Sequence, residues 1–364
     1  MQRELIIFVP GFGAVRELYL EKLADGIKKF FGKREECLIF RNNTLNRGSG
    51  FRSLYITDTN RSQRRIDIYE VEWTDLMPKF SDKPVLIRLW SMLKVLIYWA
   101  SPNRLRRIFL SPERPSRSRL KFLLMMLGYS LFLLLLWILL TLQEVWSPVE
   151  LIGDKTLSTG IAVILTLLPF GLVPAGIFDS SHASRCYLQG DIDAQGIRTR
   201  LAEALTDLPR HDQEVTVLAH SAGVVVATEV LSEWNSEKFS SVRFITLGSP
   251  LSLWAAAEPR FGQVRKQLIE NDAIIRWTDF STGRDWICTG SYPDGKSSDS
   301  KYEAPKMPLE NKVTFLESAS LQSHDLYFDD VQVIKNLLKM DSDVESAPLA
   351  RCIRAIDARV DRQA

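Results

Sequence analysis

Apolar residues follow two patterns in this sequence: short runs between polar segments, and two long blocks without charge. Residues 4–9 (ELIIFV) form an apolar run that predicts a buried strand, and residues 37–40 form a second strand candidate. Residues 17–31, between them, have a helical pattern. Residues 66–73 (IDIYEVEW) alternate apolar and polar positions, which predicts a third strand.

The alternation of strand and helix patterns resumes after residue 190. Further strands are predicted at 214–218, 242–247, 273–278 and 313–316. Further helices are predicted at 194–208, 222–234, 262–270 and 329–339. Strands that alternate with helices indicate a mostly parallel sheet covered by helices on both faces, so we predict an α/β fold.

The two long blocks cover residues 122–142 and 157–178, which are 21 and 22 residues without a charged side chain. Each suffices to cross a hydrocarbon core of about 30 Å as a helix. The alternative is a pair of buried helices in a soluble protein, but such helices rarely run so long without a charge. We therefore expect a transmembrane hairpin.

Residues 84–100 (PVLIRLWSMLKVLIYWA) carry Arg88 and Lys94 among aromatic side chains. This composition is typical of a helix in the membrane interface. The alternative is a third span, which would put the two flanking halves of the chain on opposite sides of the membrane. The sequence thus predicts a membrane module over residues 75–189.

Basic residues on one side of the first block indicate its orientation. Seven of them lie in residues 104–121 against one acid: Arg104, Arg106, Arg107, Arg114, Arg117, Arg119 and Lys121. The loop 143–156 has three acids and one lysine, so both chain ends are expected in the cytoplasm, at a bacterial inner membrane. Anionic lipid headgroups are the expected partners of Arg104, Arg106, Arg107, Arg117 and Arg119. Nucleic-acid binding is not expected, because the basic cluster adjoins a predicted span.

Composition excludes several classes of protein. The 364 residues are 46% hydrophobic and 25% charged, with a net charge of +2 and a mean hydropathy of -0.05. These values are close to globular averages and exclude a disordered, collagen-like or polytopic membrane protein. The four cysteines lack metal-like or paired spacing, which favours reduced thiols, and neither a metal nor a cofactor is expected. Residues 1–10 do not have the pattern of a signal peptide.

The segment VTVLAHSAGVVVATEVL contains the most informative motif, because an apolar strand runs through Ser221 directly into an apolar helix. This is a G-x-S-x-G nucleophile turn with Ala219 in place of the first glycine and Gly223 as the second. Small residues at both positions permit the tight turn that exposes a serine hydroxyl at a helix N-terminus. The motif predicts a nucleophilic serine.

A nucleophilic serine needs a base, and only four histidines are present. His182 adjoins the second predicted span, His211 precedes the predicted nucleophile strand, and His220 is expected to point away from the serine hydroxyl. His324, after the last predicted strand and before the last helix, is therefore the predicted base.

The acid that orients the base should lie between the serine and the histidine. Asp279 and Asp285 in WTDFSTGRDWI both satisfy this order. We prefer Asp285, because a loop aspartate can reach over to the imidazole, and keep Asp279 as the alternative acid.

The chain resembles the α/β-hydrolase superfamily of the serine lipase and esterase type. The resemblance rests on PGFG after the first strand, AHSAG, LGSP, the W-x-D that precedes Asp285, and SHDLYF, within residues 1–73 and 190–339. It implies that the N–H groups of Phe12 and Ala222 form the oxyanion hole. Pro10 and Ala219 depart from the family's usual His and Gly, but neither change removes the N–H of Phe12 or of Ala222.

These observations predict a membrane-anchored serine hydrolase that cleaves a lipid carboxylic ester through an acyl-enzyme on Ser221. The catalytic domain would consist of residues 1–74 and 190–340, followed by a tail at 341–364. An acyltransferase or thioesterase with the same triad, or a non-catalytic membrane scaffold, is the alternative. The sequence leaves the substrate, protein partners and oligomeric state open.

Overall fold

A computed structural model of the chain describes its folded segments. These are residues 2–12, 18–31, 38–44, 50–57, 63–77, 83–110, 127–128, 130, 175–207, 214–234, 241–285, 288–292, 299–305, 307 and 322–339.

Eight described strands form one sheet. They are β1 (Gln2–Val9), β2 (Leu38–Thr44), β3 (Gly50–Thr57), β4 (Gln63–Glu70), β5 (Val215–His220), β6 (Val242–Leu247), β7 (Ile274–Phe280) and β8 (Tyr302–Glu303). Their order is β2-β3-β4-β1-β5-β6-β7-β8. The six strands from β4 to β8 in this order are parallel, whereas β3 pairs antiparallel with both β2 and β4. The predicted α/β class with a mostly parallel sheet is confirmed.

Nine described α-helices accompany the sheet. They are α1 (Leu18–Phe31), α2 (Val85–Ala100), α3 (Pro102–Leu110), α4 (Ala175–Gln189), α5 (Ala194–Asp207), α6 (Gly223–Ser232), α7 (Leu251–Ala257), α8 (Arg260–Glu270) and α9 (Val331–Leu337). Two short 3₁₀ turns, Gln322–His324 and Leu326–Asp329, precede α9.

Alternate residues of β1 point to opposite faces of the sheet, as a strand requires. Ile7 and Val9 pack in one core with side chains of α2 to α8, and Ile6 and Phe8 pack in a second core with α1 and α9. The central strand is therefore apolar throughout, because both of its faces are covered. The catalytic segments predicted from the sequence follow β1, β5 and β7 at one edge of this sheet.

The predicted strand 37–40 is observed at 38–44 and the predicted strand 66–73 at 63–70. The sequence analysis missed β3 (Gly50–Thr57), which lies between these two strands. The predicted strand 313–316 and the tail 341–364 lie outside the described residues.

The predicted membrane module is described only at its two ends. No helix in the described part of the chain is both long and apolar enough to span a membrane. The block 122–142 is described only at residues 127, 128 and 130, and the block 157–178 only at residues 175–178, so both predicted spans lie almost wholly outside the described residues. Side chains of α2, α3 and α4 belong to the same core as β1 and β5.

Candidate active site

The turn after β5 holds Ser221 in an unusual backbone conformation. Its φ is +56°, in the left-handed region that a residue with a Cβ rarely adopts. The Ser221 N–H donates to the carbonyl oxygen of Leu247 on β6 at 2.9 Å, and helix α6 begins two residues later. A strained serine between a strand and a helix is the arrangement expected of a nucleophile turn.

Two glycines allow the loop after β1 to approach this turn. A Cβ on Gly223 would lie 2.3 Å from the carbonyl oxygen of Pro10, and a Cβ on Gly11 would lie 2.8 Å from the Cβ of Ser221. Neither position has room for a side chain. The small residue predicted two positions after the serine is thus required by contact with the first loop.

His324 and Asp285 form a buried pair, which the structure assembles from segments 39 residues apart. Nδ1 of His324 lies 2.7 Å from Oδ2 of Asp285. Asp285 has no exposed surface and His324 is 8% exposed. Asp285 also accepts hydrogen bonds from the Tyr327 hydroxyl at 2.9 Å and from the Cys288 N–H at 3.2 Å. These bonds fix both the imidazole and the carboxylate.

The two partners shift each other's pKa. Burial acts to raise the pKa of Asp285, but the facing imidazole and the hydrogen bonds to the carboxylate outweigh it, so this pKa is lowered. Burial acts to lower the pKa of His324, but the Asp285 carboxylate outweighs it, so this pKa is raised. The pair is therefore suited to stabilise a protonated imidazole during a reaction.

The carboxylate of Asp279, the alternative acid, is hydrogen-bonded to residues other than His324. Its buried carboxylate accepts hydrogen bonds from Thr246 Oγ1 at 2.6 Å, Tyr302 OH at 2.9 Å, and both the N–H and the hydroxyl of Ser291 at 2.7 and 3.0 Å. Burial raises the pKa of Asp279 in spite of these bonds. The structure brings Asp285, and not Asp279, to the candidate base.

Sequence reasoning missed Gly248 and Tyr327, which both contact the buried pair. Gly248 has a φ of +60°, and a Cβ there would lie 3.0 Å from Cε1 of His324 and 3.2 Å from Oδ2 of Asp285. Tyr327 lies three residues after His324, a spacing that places both side chains on one side of a tight helical turn. That spacing within SHDLYF was an available signal for Tyr327.

Of the other histidines, two are described. His220 is buried, and its ring lies 4.6 Å from that of His324 between centroids. His182 lies on α4, where its Nε2 is 3.5 Å from the Cys186 sulfur. His211 lies outside the described residues.

The two proposed oxyanion donors lie on either side of the serine. Phe12 follows Gly11 in the loop that packs on Ser221, and Ala222 is the N-cap of α6. In the described turns and caps, neither the Phe12 nor the Ala222 N–H donates to a backbone carbonyl.

The described residues contain no hydrogen bond between Ser221 Oγ and His324. The His324 ring is nonetheless close to the turn, because Cε1 lies beside Gly248 and the preceding carbonyl, that of Leu247, receives the Ser221 N–H.

Within the described segments, no group of three or more His, Cys, Asp or Glu side chains could hold a metal ion. Comparisons with protein-family models, curated proteins and solved structures find no match to this chain.

Proposed function

We propose that the protein is a serine hydrolase in which Ser221 is the nucleophile, His324 the general base and Asp285 the residue that orients the base. The observation that carries the proposal is the buried His324–Asp285 pair, at 2.7 Å, at the sheet edge where the strained Ser221 turn lies. A buried carboxylate that accepts a hydrogen bond from imidazole holds the ring in one tautomer and stabilises its protonated form.

The reaction would proceed in two acyl-transfer steps. Nε2 of His324 takes the Ser221 hydroxyl proton while Oγ attacks the ester carbonyl carbon, and the N–H groups of Phe12 and Ala222 stabilise the resulting oxyanion. The tetrahedral adduct expels the alcohol, which receives the proton from His324, and leaves an acyl group on Ser221. Water then attacks the acyl-enzyme with His324 again as base, which releases the acid and restores the serine.

We further infer an α/β-hydrolase fold for the described sheet and helices. This is supported by the parallel strands β1, β5 and β6, by the strand-turn-helix at Ser221, and by the order serine, aspartate, histidine along the chain. The insertion of the hydrophobic blocks 122–142 and 157–178 into this fold remains a proposal from the sequence.

The outer face of α2 favours a substrate in a lipid layer. Ile87, Trp90 and Ile97 are each about half exposed, and with the exposed Lys94 they occupy one face of the helix, as the 3.6-residue period requires. Nζ of Lys94 lies 5.8 Å from the centroid of the Trp90 ring. An exposed apolar face with aromatic and cationic side chains suits the interface of a bilayer.

The basic residues of α3 divide into two kinds. Arg104 is bound to Glu258 at 2.8 Å and stacks on Tyr98, so it is held within the protein. Arg106 and Arg107 are exposed, although Arg107 also donates to the carbonyl oxygen of Ala257 at 3.3 Å. Arg117 and Arg119, which follow α3 in the sequence, lie outside the described residues. We propose that the exposed members attract anionic headgroups and that the catalytic domain faces the cytoplasm.

The proposed function is tested by labelling the full-length chain, in detergent micelles, with a fluorophosphonate probe. A covalent adduct on Ser221 that is absent from Ser221→Ala, together with loss of 4-nitrophenyl butyrate hydrolysis in that variant, is the expected result. Ser232→Ala, which removes a hydroxyl at the far end of α6, is the matched control. Unlabelled Ser221 in folded protein would instead favour the non-catalytic scaffold.

A further inference from the structure

Helix α4 contacts the loop that carries one proposed oxyanion donor. The Ser180 hydroxyl donates to the carbonyl oxygen of Phe12 at 2.7 Å. Seven residues later, the ring of Tyr187 packs on the ring of Phe12 with centroids 5.2 Å apart. A separation of seven residues is close to two helical turns, so Ser180 and Tyr187 use the same face of α4.

The same helix is also bonded to the helix that carries the second donor. The Tyr187 hydroxyl donates to Oε2 of Glu229 on α6, and both side chains are buried. Burial and the nearby Glu229 raise the pKa of Tyr187, so its hydroxyl remains a donor. The N-cap of α6 is Ala222, and α4 therefore connects the Phe12 loop to the helix that begins at the Ala222 turn.

The direction of the Phe12 N–H depends on the contacts that fix the backbone and the side chain of Phe12. Its carbonyl is bound by Ser180, and its ring lies between Tyr187 and Trp73, whose centroid is 6.3 Å away. Oxyanion stabilisation requires donors that are already aimed before charge develops, so small rotations of residue 12 would weaken it.

We propose that Ser180 is a positioning residue that, together with Tyr187, sets the geometry between the Phe12 and Ala222 donors. This inference rests on the proposed function.

The test compares Ser180→Ala, Ser180→Thr and Tyr187→Phe in the full-length chain in detergent, with Thr206→Ala as control. Thr206 also donates its hydroxyl to a backbone carbonyl, that of Ala202, but on α5 and not at the Phe12 loop or at Glu229. For hydrolysis of 4-nitrophenyl butyrate, Ser180→Ala should lower kcat about ten- to hundredfold, a smaller loss than removal of a donor, and leave KM within about twofold.

An alkyl boronic acid provides a readout that a purely structural role would not move. It forms a tetrahedral adduct with an active-site serine, so its inhibition constant should rise by the same factor as kcat falls in Ser180→Ala. Ser180→Thr, which keeps the hydroxyl, should recover most of both losses. Tyr187→Phe should show the same pattern as Ser180→Ala, since it keeps the ring and removes the hydroxyl that bonds to Glu229 and Arg198.

Three results distinguish failure of this inference from failure of the proposed function. If Ser221 is labelled but Ser180→Ala changes neither kcat nor boronic acid affinity by more than about twofold, the positioning role is wrong and the hydrolase proposal stands. A fall in kcat in Ser180→Ala that is accompanied by a lower Tm, without loss of boronic acid affinity, also overturns it. Absence of a Ser221 adduct in the unmodified protein contradicts the hydrolase itself.

Discussion

Nε2 of His220 lies 3.0 Å from the backbone carbonyl oxygen of His324, so the residue before the candidate nucleophile holds the backbone of the candidate base. Since a carbonyl only accepts, Nε2 must carry the proton. Nδ1 of His220 has no hydrogen-bond partner among the described residues, which fits a neutral ring protonated at Nε2 alone. His220, which was expected to point away from the serine hydroxyl, thus lies against His324.

Substitution of His220 tests whether its hydrogen bond to the His324 carbonyl supports the site. Burial, followed by the nearby charge of His324, lowers the pKa of His220 to about 3, so the ring is neutral above pH 5. His220→Leu leaves the His324 carbonyl without its donor and should cost about 1–3 kcal/mol in the free energy of unfolding. His220→Gln, which can still donate, should lose less and leave the acid midpoint of the kcat/KM profile unchanged. A shifted midpoint in His220→Gln would show that His220 itself titrates in the active range.

The candidate acids are separated by two matched substitutions. Asp285→Asn should lower kcat about 10²- to 10⁴-fold, because the imidazole loses the anion that orients it. Asp279→Asn should change kcat by less than about threefold but destabilise the fold by about 1–3 kcal/mol, since an amide NH₂ would oppose the Ser291 N–H or a donated hydroxyl. Steady-state kinetics and urea unfolding provide the two readouts. The reverse result, with the larger kcat loss in Asp279→Asn, would reassign the acid.

The pH profile should report the His324–Asp285 pair. His324 acts as a base only when neutral, and its pKa is raised, so kcat/KM should fall as pH drops through that raised pKa. In Asp285→Asn the carboxylate that favours the imidazolium is gone while burial remains, so the acid midpoint should move to lower pH. Residual activity of Asp285→Asn, measured between pH 4 and 9, gives the comparison. A midpoint that moves upward would be incompatible with this pairing.

Gly248→Ala tests whether the His324–Asp285 pair requires a residue without a side chain at position 248. Alanine at a φ of +60° costs about 1–2 kcal/mol, and here its Cβ would also press on His324 and Tyr327, so kcat should fall at least tenfold. Gly190→Ala is the control, because Gly190 has a φ of +74° with nothing within 4 Å of an added Cβ. It should lose similar stability and no activity. Equal kcat in the two variants would mean that the imidazole tolerates the contact.

Lipid contact of α2 can be measured by tryptophan quenching in vesicles that contain brominated phosphatidylcholine and phosphatidylglycerol. Trp90 is 56% exposed and Trp99, on the opposite side of the helix, is 7% exposed. Trp90→Phe should remove part of the quenchable fluorescence, whereas Trp99→Phe should leave the quenched signal unchanged. If the quenched signal falls only in Trp99→Phe, the apolar face does not lie in the interface.

The elements that sequence alone predicts best are those with an uninterrupted apolar pattern. β6 is predicted at its observed bounds, 242–247, because it is buried on both faces and short. β3 was missed because its sequence, GFRSLYIT, begins with glycine and mixes charged and polar residues with apolar ones. Its place is set by antiparallel pairing with β2 and β4, which no local pattern encodes.

In the candidate site, too, some features follow from local sequence and others only from long-range contacts. Ser221 is identified by residues adjacent to it, but the choice between Asp279 and Asp285 depends on where the loop after β7 meets His324. The contact between Ser180 and Phe12 joins residues 168 positions apart and has no sequence signal. Local motifs therefore point to the candidate groups, whereas the positions of the residues that support them required the fold.

The central position of β1 has a consequence for synthesis on the ribosome. Leu5 pairs with Val215, which is made 210 residues later. At roughly 5–20 residues per second, the first strand would wait about 10–40 s for this neighbour. During that interval β1 could pair with β4 but not with β5, and residues 122–142 and 157–178 would be made before the sheet could close. If the two blocks enter a membrane as the sequence predicts, they would leave the aqueous phase before β5 is made, and the timing of translation would then separate the two apolar parts of the chain.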